Sequence, residues 1–139
     1  MKRALIGIVF LCAGLAACDT AVRRDELQSV DYGPRPQHWQ KEIQSYLQLR
    51  LKEPQPGAVD IRTEPKILYQ RDTALRARQY GWAVCVWVTD REPQGRYPMT
   101  FFFRDEKIVA VNNGPDDFGV IGSRYAREQC ELLGAPFRR

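Results

Sequence analysis

Tyr80-Gly81-Trp82-Ala83-Val84-Cys85-Val86-Trp87-Val88-Thr89 is the stretch on which the fold turns. It is rich in β-branched and aromatic residues and reads as a strand. Side chains alternate across a strand. Tyr80, Trp82, Val84, Val86 and Val88 therefore share one face, and Gly81, Ala83, Cys85 and Trp87 share the other. Both faces are apolar, so this strand is expected at the centre of a sheet and covered on both sides. The small residues Gly81, Ala83 and Cys85 leave room for a helix to approach. Which face takes the N-terminal helix stays open. Were both helices on one face, the other would expose Trp82 and several valines, a partner site by patch size alone.

Working outward, Val59 to Thr63 predicts a short strand, and Lys66 to Gln70 continues it beyond Pro65, which suits a sheet edge. Arg71 to Arg78 is a polar connection. Asp90 to Arg96, with Pro93 and Gly95, predicts a hairpin loop. Met99 to Arg104, a turn at Asp105-Glu106, and Ile108 to Asn112 complete a three- to four-stranded antiparallel meander. An amphipathic helix is expected over 37–51, where Trp39, Ile43, Tyr46, Leu47 and Leu51 recur every three or four residues. Pro36 sits at its start, and Pro54, Pro56 and Gly57 end it. Its polar side is mixed and not strongly basic, which favours core packing over a membrane surface. Ser123 predicts the cap of a short C-terminal helix from Arg124 to Leu133, ended by Gly134 and Pro136. The fold class is α+β.

The first residues have a different character. Lys2 and Arg3 precede an uncharged apolar run from Ala4 to Leu15, too short to span a bilayer as a helix. It ends in Leu15-Ala16-Ala17-Cys18, which resembles a bacterial lipobox. The resemblance implies removal of residues 1–17 as a signal peptide and diacylglycerol on the Cys18 sulfur. It also implies a further acyl chain, such as palmitate, on the new amino group. Attachment by several chains is effectively permanent. The expected setting is the periplasmic side of a bacterial envelope. Asp19, directly after the lipidated cysteine, is similar to an inner-membrane retention signal, with the outer membrane the alternative. Residues 18–36 read as a flexible tether of roughly 20–25 Å, or with a helical turn over Asp25 to Val30. Residues 37–139 form the single domain.

Cysteine usage agrees with export. With Cys12 discarded and Cys18 lipidated, Cys85 and Cys130 are the one remaining pair in an oxidising compartment, and a disulfide is favoured over a free, reactive Cys85. Bonded to Cys85, Cys130 would draw the C-terminal segment over the small face of the central strand. The 139 residues carry 21 Lys and Arg against 17 Asp and Glu, a net +4. Without Lys2 and Arg3 this falls to 19 against 17, a net +2. The sequence pI near 9.0 thus overstates the case for an anionic partner, and a nucleic-acid role is out of place in the envelope.

Three further segments carry a second resemblance. Tyr32-Gly33-Pro34-Arg35-Pro36, Leu51-Lys52-Glu53-Pro54 and Tyr80-Gly81-Trp82-Ala83-Val84-Cys85-Val86 are similar to a pattern in a group of small proteobacterial lipoproteins. That pattern has a YGPxP start, an LKDP-type helix end and a YGWxVCVxV strand; Glu53 departs from it. The resemblance supplies no catalytic or binding residues.

Chemistry-bearing arrangements are sparse. His38 is the only histidine, and beside Asp31 or Glu42 it falls short of the three or four ligands zinc takes. Gly122-Ser123-Arg124 lacks the flanking glycine of a nucleophile elbow. Asp116-Asp117 reads as turn chemistry. No metal, cofactor or catalytic activity is expected. Arg71, Arg76 and Arg78, with Lys66 nearby, form a basic cluster read as a solvated loop pairing with Asp72, or else as a contact for anionic lipid or glycan. Two functions follow. One is a non-catalytic, lipid-anchored accessory or scaffold that binds an envelope protein through an exposed aromatic patch. The other is a ligand- or glycan-binding module, less readily a small hydrolase, with an enclosed pocket lined by Trp82 or Trp87 and Tyr80.

Overall fold

The computed structural model describes residues 22–51, 56–90, 95–114 and 119–138. The signal segment, Cys18, Asp19, the Lys52-Glu53-Pro54 helix end, Pro93 and the Asp116-Asp117 pair lie outside the described residues. The elements run α1 (Arg24–Leu27), α2 (Trp39–Arg50), β1 (Val59–Ile61), β2 (Lys66–Gln70), β3 (Gln79–Asp90), β4 (Gly95–Arg104), β5 (Lys107–Asn112) and α3 (Val120–Leu132).

The strands form one antiparallel sheet with β3 at its centre. β4 pairs along one side of β3, from Trp82↔Phe103 to Asp90↔Gly95, and β5 pairs beyond β4. On the other side lie two strands end to end: β2, from Lys66↔Ala83 to Gln70↔Gln79, and β1, from Val59↔Val88 to Ile61↔Val86. The sheet therefore has five strands, one more than the meander expected. The expected edge strand is broken around Pro65, which has no N–H for the ladder. Across the break the Arg62 N–H donates to the Cys85 carbonyl at 2.9 Å. The Cys85 N–H in turn donates to Thr63 Oγ1 at 2.9 Å, so a side chain replaces the missing strand partner.

The two helices cover opposite faces of β3. On one, Trp39, Ile43, Leu47 and Leu51 of α2 and its end pack on Val84, Val86, Val88, Met99, Phe101 and Phe103. On the other, Cys130 and Leu133 meet Ala83, Cys85 and Phe102. The exposed valine face conceived for two helices on one side does not arise, because each face of β3 carries its own helix. The small residues let α3 come within disulfide reach: Cys85 and Cys130 are bonded, with Cα atoms 5.2 Å apart.

Helix boundaries depart from expectation for physical reasons. α2 begins at Trp39, two residues late, because the N–H groups of Gln37 and His38 donate to the Glu106 carboxylate at 2.7 and 3.1 Å. That carboxylate comes from the β4–β5 turn and satisfies orphan donors of the helix start from outside the helix. These contacts hold Glu106 below the usual carboxylate range. α3 begins at Val120, a turn before the expected Ser123 cap, with Gly119 at its N-cap. Residues 22–36, read as a tether or with a helical turn over Asp25 to Val30, carry one helical turn and contacts to the sheet. α1 forms a single turn, Tyr32 packs edge-on against Tyr80 with centroids 6.1 Å apart, the Trp82 indole donates to the Gly33 carbonyl at 3.0 Å, and Pro36 is buried.

Replacing both Cys85 and Cys130 with Ala should lower stability by about 4 kcal/mol on chain-entropy grounds for the closed loop, measured as a shift in denaturant midpoint. Gly81 has φ +150°, and a Cβ there would lie 2.6 Å from the Phe103 carbonyl oxygen. Gly81→Ala is accordingly expected to cost over about 2 kcal/mol. Gly57→Ala, strained in φ but with nothing within 4 Å, should cost about 1 kcal/mol.

Candidate interaction surfaces

The residues singled out in the sequence separate to opposite ends of the sheet. Tyr80, Trp82, Arg71, Arg76 and Arg78 gather where β3 begins, whereas Trp87 lies towards the end where β3 meets β1 and the start of β4. They do not form one site.

At the first end, arginine and aromatic side chains interleave. The Arg78 guanidinium lies 5.2 Å from the Tyr80 ring centroid and that of Arg104 4.2 Å from it, while Tyr69 stacks on Tyr80 at 6.3 Å. Arg76 lies over the Tyr125 ring at 4.8 Å, placing the turn around Thr73–Arg76 against α3. Thr73 Oγ1 and the Tyr125 hydroxyl also hydrogen-bond. Arg71 pairs with Glu26, not Asp72: its Nε donates to both carboxylate oxygens at 2.9 and 2.8 Å and its Nη2 to one at 2.6 Å. This fork geometry favours carboxylate recognition, and the Arg71 hydrogen bonds hold the Glu26 pKa below its ordinary value. The basic loop is thus tied to α1 and to aromatic rings.

Beside that loop, a groove of about 630 Å³ opens between Thr73, Ala74 and Leu75 and the first turns of α3, reaching Val120, Ile121 and Tyr125. Leu75 is 69% exposed, Val120 88% and Ile121 43%. A second groove borders Val120, Ser123, Arg124, Arg127 and Glu128. Neither is lined by Trp82, Trp87 or Tyr80, so neither is the pocket conceived for the ligand-binding reading. Trp82 instead packs on the α2 side of the core.

At the other end, Trp87 is half-buried between two guanidiniums, Arg62 at 4.0 Å and Arg96 at 4.2 Å from its ring centroid, with Phe137 edge-on at 5.4 Å. Such cation–π contacts keep long side chains ordered. Asp60 Oδ2 accepts from Arg62 Nη1 at 3.1 Å and lies 3.5 Å from Arg96 Nη2. The indole N–H of Trp87 is buried without a hydrogen-bond partner among the described residues. Register explains the cluster: Asp60 stands opposite Trp87, so they share a face. Arg62 lies two residues on from Asp60 along the same edge. Sequence reading found Trp87 but missed Arg62 and Arg96, whose only signal was alternation across strands not yet paired.

Between the ends, beneath α3, Gln129 is fully buried in a polar network. Its amide donates to Gln70 Oε1 and, at 3.1 Å, to Gln79 Oε1; its carbonyl oxygen accepts from Thr100 Oγ1 and, at 2.7 Å, from Asn112 Nδ2. Every hydrogen-bonding capacity of the amide is used, so the network positions α3 and presents nothing to a ligand. Among the described residues, no group of three His, Cys, Asp or Glu side chains is placed to hold a metal, and His38 is largely exposed at the start of α2. No family model, curated protein or solved structure matches the chain.

Because the folded state depresses the Glu26 pKa from 4.5, the pair's stabilisation is present above that value and is lost as pH falls through the lower folded value. Hydrogen-exchange protection of residues 22–33 should drop on acidification below about pH 4.5 while β3 stays protected. Glu26→Gln should show the low protection already at neutral pH.

Proposed function

We propose that this chain is a non-catalytic, lipid-anchored protein of the bacterial envelope. It is held on the periplasmic side through Cys18, in the inner membrane on the strength of Asp19 or else in the outer, and serves as an accessory or scaffold for a protein partner. The observation that carries the partner reading is the Trp87 platform. Tryptophan and arginine are the residues over-represented in the energetic centres of protein interfaces. Here one half-buried Trp is flanked by Arg62 and Arg96, both extending to solvent with side chains 39% and 49% exposed.

Two guanidiniums share the single carboxylate of Asp60, which leaves donors over for an acidic group on a partner. A ligand-binding module has less support, because neither groove along α3 is lined by Trp82, Trp87 or Tyr80.

The test is crosslinking of the full lipidated chain in membranes, followed by purification. A discrete protein adduct is expected for the wild type and should be lost in Arg62→Glu/Arg96→Glu. Recovery of the same adduct from that variant would exclude the platform. Failure of palmitate to label the chain, or normal membrane fractionation of Cys18→Ser, would remove the anchor.

A further inference from the structure

The lipid attachment and the folded domain are separated by very little chain. Only Asp19, Thr20 and Ala21 lie between Cys18 and Val22, and four extended Cα steps span at most about 14 Å. From Val22 on the path is fixed to one end of the sheet. Glu26 is locked to Arg71, Tyr32 lies on Tyr80, and Gly33 accepts from Trp82. A chain lipidated at Cys18 therefore has this end of the domain within one short leash of the bilayer and cannot turn freely about it.

The same end carries exposed apolar side chains. Among the described residues, four of the eight exposed large apolar side chains, Leu27, Leu75, Val120 and Ile121, belong to α1, to the loop that holds it, or to the first turn of α3 that this loop touches. Arginines flank them: Arg76 over Tyr125 on the loop, and Arg124 on the next turn of α3. Apolar side chains at a lipid boundary with cationic groups at headgroup level are the arrangement of an interfacial membrane contact. They stand at the end of the sheet to which residues 26–33 are fixed.

Building on the lipid anchor proposed above, we infer that the Leu75–Val120–Ile121 surface lies against the bilayer that holds the anchor. Phospholipid fills the groove between the Thr73–Arg76 turn and α3. The Trp87 platform, at the opposite end of β3, then points away from the membrane towards its partner. The anchor orients the domain as well as retaining it.

The full lipidated chain, reconstituted in phosphatidylethanolamine–phosphatidylglycerol vesicles with brominated acyl chains, tests this. Leu75→Trp and Val120→Trp each add a fluorophore at the proposed contact, and Leu49→Trp adds one on α2, where Leu49 is 82% exposed. The first two should lose most of their added emission relative to unbrominated vesicles, while Leu49→Trp keeps its own. Using two contact positions guards against one variant failing to fold, and near-ultraviolet circular dichroism verifies each. If the chain carries the lipid mass on Cys18 but positions 75 and 120 are quenched no more than position 49, the orientation is wrong and the anchor stands. If no lipid mass is found, the leash has no attachment and both readings fall.

Discussion

A central strand that is apolar on both faces has to be covered twice, and the rest of the molecule follows from how that is done. β3 presents Val84, Val86 and Val88 to α2 and Ala83 and Cys85 to α3. The faces differ in size. The large one takes α2 through Ile43 and Leu47. The small one lets α3 approach closely enough for a disulfide. Burying both faces removes the middle of the strand, Ala83 to Val86, from solvent.

Polar groups link the layers where apolar contact ends. Glu106 adopts φ +64°, uncommon for a residue with a side chain, in a two-residue hairpin turn. There its carboxylate receives the first N–H groups of α2. On the other face Gln129 joins α3 to β2, β3, β4 and β5 through one fully used amide. A buried amide tolerates little displacement, because any shift leaves a donor or acceptor unpaired. The disulfide restricts how far α3 can move, and the amide network fixes its register.

The legible and illegible parts of the molecule divide by range of interaction. β3 was readable because ten consecutive residues carry its pattern, and α2 because its stripe repeats over three turns. The Cys85–Cys130 pairing was readable once the lipobox resemblance had set Cys12 and Cys18 aside. The collinear edge was visible at Pro65, although the five-strand count was not, since the break depends on Thr63 finding the Cys85 N–H. The packing of residues 22–36 was not readable: their polar composition resembles a tether, and order comes from Arg71, forty-five positions away. The start of α3 at Val120 was obscured by Ser123, a stronger capping residue than Gly119, which has no side chain to accept from the first N–H groups.

Sites were less legible than fold. Alternation placed Trp82 and Trp87 on opposite faces correctly, but it could not say that Trp82 would be closed over by Gly33 while Trp87 met two guanidiniums. Periodicity and composition act through neighbours a few residues apart, and they were enough for the α+β class, the central strand and the stapled C-terminal helix. Which face the N-terminal helix took, which ends of the sheet gathered arginine and aromatic groups, and which apolar side chains stayed in solvent depended on pairing register across strands. Register arises from the summed packing of residues distant in the chain, and no local pattern encodes that sum.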